Sequence, residues 1–111
     1  MIIISKFWTK IFSLGTGIGV VVFPFIFFSE SKWATDKEIL NHEKIHQQQI
    51  LELLIFPFYL WYFTEYFIRF LHYRKRQEAY MHISFEKESY ANQSDLGYLS
   101  RRRFWSFLRY L

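Results

Sequence analysis

His42-Glu43-Lys44-Ile45-His46 is the stretch on which the reading of this chain turns. On a helix, residues four apart share a face, so His42 and His46 can aim ring nitrogens at one divalent cation. Glu43, one residue on, can reach a water bound there but is not placed as a third ligand beside the two imidazoles. The plain alternative is a helix carrying two half-buried His and a solvated Glu. The motif needs a helix, and Thr35-Asp36-Lys37-Glu38 reads as a capping box with Thr35 as N-cap. Asp36 and Glu38 set negative charge at the positive end of the dipole. The pattern continues to Leu54, with Ile39, Leu40, Ile50, Leu53 and Leu54 facing inward. Pro57 then stops or kinks it. The expected helix spans residues 35–55.

A catalytic zinc takes three protein ligands and keeps one position open. The chain has no Cys, so the third ligand is a His, Asp or Glu. The best candidate stretch is Phe85-Glu86-Lys87-Glu88-Ser89-Tyr90-Ala91-Asn92, on a helix expected over 77–92. Together the two stretches resemble the gluzincins, zinc metallopeptidases whose third ligand is a Glu on a second helix. The resemblance implies Zn²⁺ held by His42, His46 and Glu86, with Glu43 as general base. It implies Glu86 rather than Glu88, which turns to another helix face, and it makes Ser89 the small residue that lets two helices approach. Tyr90 stands where the family often has Asp, which leaves open the partner that orients a ligating His. Over residues 17–110 the wider pattern resembles a set of small bacterial zincin-like proteins, which implies a zincin-like fold without naming a substrate.

At 111 residues the chain is read as one domain. It is 51% hydrophobic and 23% aromatic, enough apolar surface for a core or for contact with lipid. The absence of Cys excludes disulfides and thiolate metal sites. From Ile11 to Ser29 no residue is charged. As a helix that stretch is about 28 Å long, enough to cross a bilayer core. Gly15, Gly17, Gly19, the Val20–Val22 run and Pro24 argue instead for two apolar strands, Ile2–Phe12 and Gly19–Phe28, joined by a turn at Gly15–Gly17. Residues 1–30 are therefore expected to form an apolar β-hairpin, with a transmembrane helix as the alternative. The gluzincin resemblance implies a sheet edge beside the motif helix, where an extended substrate adds as a strand.

An aromatic helix is expected over 58–73, with Glu65 and Arg69 paired four apart. A basic amphipathic helix is expected over 95–111. From Arg69 onward there are nine Lys and Arg against four Asp and Glu, so this part accounts for the net charge of +4. That combination reads as a surface for anionic lipid. The Arg cluster is too short, and lacks any module pattern, for a nucleic-acid partner to be expected. His72 and His82 read first as ordinary partly exposed imidazoles, with alternative metal ligation or oxyanion stabilisation as the other readings, and Tyr90, Tyr98 and Arg101–Arg103 are further candidates for stabilising an oxyanion.

The expectation is an α+β fold, mostly α: a minimal zincin-like domain of three to four helices beside the N-terminal hairpin. Its expected function is zinc-dependent hydrolysis of a peptide or protein substrate at a membrane, on the cytoplasmic face of a bacterial inner membrane. The alternative is an inactive or structural-zinc binding protein attached to that membrane.

Overall fold

The computed structural model describes residues 1–13 and 17–111. It is α+β and mostly α. Three short strands, β1 (Ile2–Ile4), β2 (Gly19–Val22) and β3 (Phe25–Phe28), form one sheet in the order β1-β3-β2. β2 and β3 are an antiparallel hairpin, and β1 runs parallel to β3 with Ile3 opposite Phe27. The N-terminal segment is thus a sheet, but not the expected hairpin. Ser5 accepts a hydrogen bond from the Trp8 N–H and starts helix α1 (Lys6–Phe12) where a long strand was expected. The hairpin turn lies at Phe23–Pro24, and the expected turn at Gly15–Gly17 falls largely outside the described residues. Among the described residues no helix is long and apolar enough to cross a membrane.

Six further helices follow: α2 (Ser31–Ala34), α3 (Lys37–Glu52), α4 (Phe56–Tyr73), α5 (Arg76–Met81), α6 (Ser84–Asn92) and α7 (Tyr98–Arg101), with a 3₁₀ segment at Ser106–Tyr110. Asp36, not Thr35, caps α3: its carboxylate accepts from the Glu38 and Ile39 N–H groups, while the Thr35 hydroxyl bonds back to the Lys32 carbonyl and closes α2. α3 ends at Glu52, before Leu54 and Ile55, whose positive φ angles turn the chain. Leu54 consequently points to solvent. Pro57 begins α4 rather than ending α3, in the first turn, where its missing N–H has no role.

The expected 77–92 helix is broken at His82–Ile83. The buried Glu65 carboxylate accepts from both the N–H and the hydroxyl of Ser84, starting α6 afresh. Glu65 also accepts from the Trp61 indole, so it turns inward instead of pairing with Arg69. The expected 95–111 helix is broken as well. Arg102 turns inward to the buried carboxylates of Glu52 and Glu88, and Trp105 is left-handed at φ 62°. Phe107 reaches the core beyond that break.

The core joins the sheet to α3, α4 and α6 through Val21, Ile26, Phe28, Ile50, Phe58 and Phe85. Phe85 sits at its centre, with ring centroids 4.4 Å from Phe58 and 4.6 Å from Phe107. This packing fixes α6 against α3. The cap assignment is testable: Asp36→Ala should cost about 1 kcal/mol in urea unfolding, whereas Thr35→Ala should stay within about 0.5 kcal/mol.

Candidate metal centre

His42 and His46, one turn apart in the middle of α3, lie side by side with ring centroids 4.8 Å apart. α6 crosses them and delivers Glu86. Its Oε1 lies 3.1 Å from His42 Nε2 and 3.0 Å from His46 Nε2, and the two nitrogens are 3.1 Å apart. All three residues are buried, and the group could hold a metal ion. Ser89 allows the approach: its hydroxyl donates to the His42 carbonyl at 2.7 Å. Asn41 ties the end of α6 down by donating to the carbonyls of Asn92, Gln93 and Asp95.

The far side of each imidazole is also held. Gln49 Nε2 donates to the Phe85 carbonyl and to Glu88, which turns its carbonyl toward His46 Nδ1 at 2.8 Å. His46 must therefore donate from Nδ1, and in its neutral form the lone pair lies on Nε2. His42 Nδ1 faces Gln93 Oε1 at 2.8 Å in the same way. Two glutamine carbonyls thus orient the two imidazoles, the partner that the sequence left open, and the Tyr90 ring packs against His42, 4.4 Å between centroids. Gln49 was findable, since it lies three residues after His46 on the same helix face. Gln93 was not, because only the turn after α6 brings it back.

Three lone-pair atoms at 3.0–3.1 Å repel unless a proton or a cation lies among them. Donors bound tetrahedrally to one small divalent ion at about 2.0–2.1 Å stand about 3.3 Å apart, so the set is of a size to hold a metal ion. In the metal-free protein a proton takes that place. Burial pulls His46 down, but the charge and hydrogen bond of Glu86 outweigh it and push His46 up from 6.5 to about 9. Burial likewise works to raise Glu86, and the two imidazoles overcome it, holding its carboxyl well below the usual range. The second oxygen of Glu86 accepts from the Tyr62 hydroxyl at 2.7 Å. Nothing in the aromatic α4 sequence marks Tyr62 out from its neighbours.

Glu43 lies beside this group. Burial drives its proton affinity up, against the pull of the two His. Its Oε2 is buried and has no hydrogen-bond partner among the described residues. Gly19 covers it closely: a Cβ there would stand 3.3 Å from Glu43 Oε1 and 3.1 Å from the Phe28 ring. Glu43, His46 and Glu86 line one cleft of about 290 Å³, walled by Val20, Tyr59, Phe63 and Tyr80 among others.

Glu88 does not join the group. It accepts from Arg102, Tyr98 and Gln49 and stays ionised, because those partners outweigh its burial. Tyr98 and Arg102 are engaged there, Arg101 pairs with Asp95 at the surface, and Arg103 is exposed. His82 bonds the Glu78 carbonyl and stacks on Tyr73, and His72 is exposed. Tyr90 is the one expected oxyanion candidate that touches the site. Its hydroxyl lies 2.9 Å from that of Tyr80, which the sequence did not single out and which lines the cleft.

The His46 proton gives a signed pH dependence. Because the folded value exceeds the unfolded one, the proton stabilises the metal-free fold fully below about pH 6.5. That contribution is lost as pH rises through about 9. Thermal melts in chelator should show Tm falling across this window, and saturating zinc should flatten the fall by replacing the proton. A flat profile in chelator would contradict the assigned proton.

The chain matches no protein-family model, no curated protein and no solved structure.

Proposed function

We propose that this protein is a zinc-dependent peptide hydrolase of gluzincin type. The observation that carries the reading is the convergence of His42 Nε2, His46 Nε2 and Glu86 Oε1 within 3.1 Å, next to a buried carboxylate with an unpartnered oxygen. Two imidazoles and one carboxylate are a known catalytic zinc set with an open fourth position. The group numbers three side chains among the described residues, whereas a purely structural site would require a fourth.

His42, His46 and Glu86 would hold the ion, with Gln93, Gln49 and Tyr62 orienting them. When bound, the ion polarises a carbonyl and lowers the pKa of water toward neutrality. Glu43 takes a proton from the attacking water as its oxygen adds to the peptide carbonyl carbon. It then gives that proton to the departing amine as the C–N bond breaks. The raised proton affinity of Glu43 suits both steps. Tyr80, on the cleft wall, donates its hydroxyl to the developing oxyanion. By the gluzincin resemblance, an extended substrate runs along β2, an edge strand whose Gly19 lies over Glu43.

The test is zinc-loaded protein incubated with a peptide pool in H₂¹⁸O, with new carboxyl termini read by mass spectrometry. Label should enter one carboxylate oxygen per cleavage. Glu43→Gln should keep stoichiometric zinc and lose about 10²–10⁴-fold in rate; turnover at the wild-type rate would remove Glu43 from the mechanism. Tyr80→Phe should lower kcat by about 10²–10³-fold with little change in KM.

A further inference from the structure

The helix α4 is apolar on both sides, and the protein covers only one of them. Its inner face carries Phe58, Tyr62 and Glu65 into the core and the site. Its outer face carries Phe56, Leu60, Phe63, Phe67 and Leu71 at helical spacing, and these are 51–77% exposed. Across the cleft, α1 shows the same character. Phe7, Trp8, Ile11 and Phe12 are exposed, and only Thr9 is buried. The two apolar faces meet at the cleft, whose walls include Phe12 of α1 and Phe63 of α4.

Charge decides what covers them. The outer faces of α1 and α4 carry no exposed acidic side chain; the single acid of α4, Glu65, is buried. Exposed cations border them: Lys10 on α1, and Arg74, Lys75 and Arg76 directly after α4. Lys6 is also exposed but shares its charge with Glu30 at 3.6 Å. A second copy seated symmetrically on this surface would set cation against cation. An anionic bilayer instead receives the aromatic side chains among its headgroups and pairs with the bordering Lys and Arg. The C-terminal segment, the sequence-based candidate for that role, has its Arg102 and Phe107 buried.

We infer that the joined outer faces of α1 and α4 dock on an anionic lipid surface, with the mouth of the cleft facing the bilayer. Combined with the proposed hydrolase activity, this makes the substrate a chain that lies on or is anchored in that bilayer. The docking itself is read without any turnover, so its failure and that of the hydrolase are separable.

The chain has no Cys, so a single introduced one can carry an environment-sensitive fluorophore. The full-length protein is labelled at Phe63→Cys, or at Lys44→Cys on the exposed side of α3, and mixed with vesicles of phosphatidylcholine with or without 30% phosphatidylglycerol (about a third anionic lipid, as in a charged leaflet). The label at 63 should blue-shift on anionic vesicles, and the label at 44 should not. Leu60→Glu/Phe67→Glu, at two exposed positions away from the cleft wall, should weaken vesicle co-sedimentation at least tenfold while the thermal melt and zinc content hold. Raised salt should weaken it too. Equal binding to both vesicle types, or an unshifted label at 63, would overturn the inference. So would a dimer in light scattering that the double variant dissolves, which would assign the face to a second copy.

Discussion

The carboxyl groups of Glu43, Glu52, Glu86 and Glu88 and the Arg102 guanidinium are withdrawn from bulk water around the junction of α3 and α6, beside the buried His42 and His46. In a chain of 111 residues that is a large electrostatic load, since each buried charge costs several kcal/mol unless a partner answers it. The partners are present. Glu86 faces two imidazoles and a tyrosine hydroxyl, and Glu88 and Glu52 share the Arg102 guanidinium. The close seating of α6 on α3 runs through Ser89, Asn41 and the Phe85 core. Glu43 and Glu52 each keep one buried oxygen that no described group bonds, but Glu52 pairs with Arg102 through its other oxygen, whereas Glu43 makes no ion pair among the described residues.

The two charged clusters are one network. Arg102 holds Glu88 by two nitrogens, Glu88 accepts from the Gln49 amide, and the Gln49 carbonyl fixes His46. Because Gln49 must donate at one end, it must accept at the other. An ion pair on the far side of α6 thereby selects which nitrogen of His46 faces the site. This also explains the broken C-terminal helix. A continuous helix would leave Glu88 and Glu52 buried without a cation, at a cost greater than that of the few helical hydrogen bonds lost at Arg102–Trp105.

The site was legible where its geometry is local, and the fold only where its pattern is periodic. His42 and His46 are placed by one helical turn. Glu86 is separated from Glu88 by helix phase, and Ser89 is marked by its size. α3 and α4 follow from long apolar periodicity. The N-terminus was harder to read, because a parallel pairing of β1 with β3 leaves no local signature, and a single Ser5 cap decides between strand and helix. Glu65 capping α6 and Arg102 reaching Glu52 are contacts between residues far apart in sequence. Such contacts obey chemistry that a linear pattern does not record.

β2 is an edge strand of the sheet, but only part of that edge is open. An added strand needs free backbone groups along that edge. The Tyr59 hydroxyl already donates to the Val21 carbonyl and accepts from the Phe23 N–H, each at 3.1 Å. One end of the edge is thus capped by a side chain of α4, and an incoming strand must either displace Tyr59 or pair only toward Gly19. The Gly19 end is the one that lies over Glu43. For the proposed hydrolase, that short reach would favour a substrate held by few backbone bonds and positioned mainly by the apolar cleft.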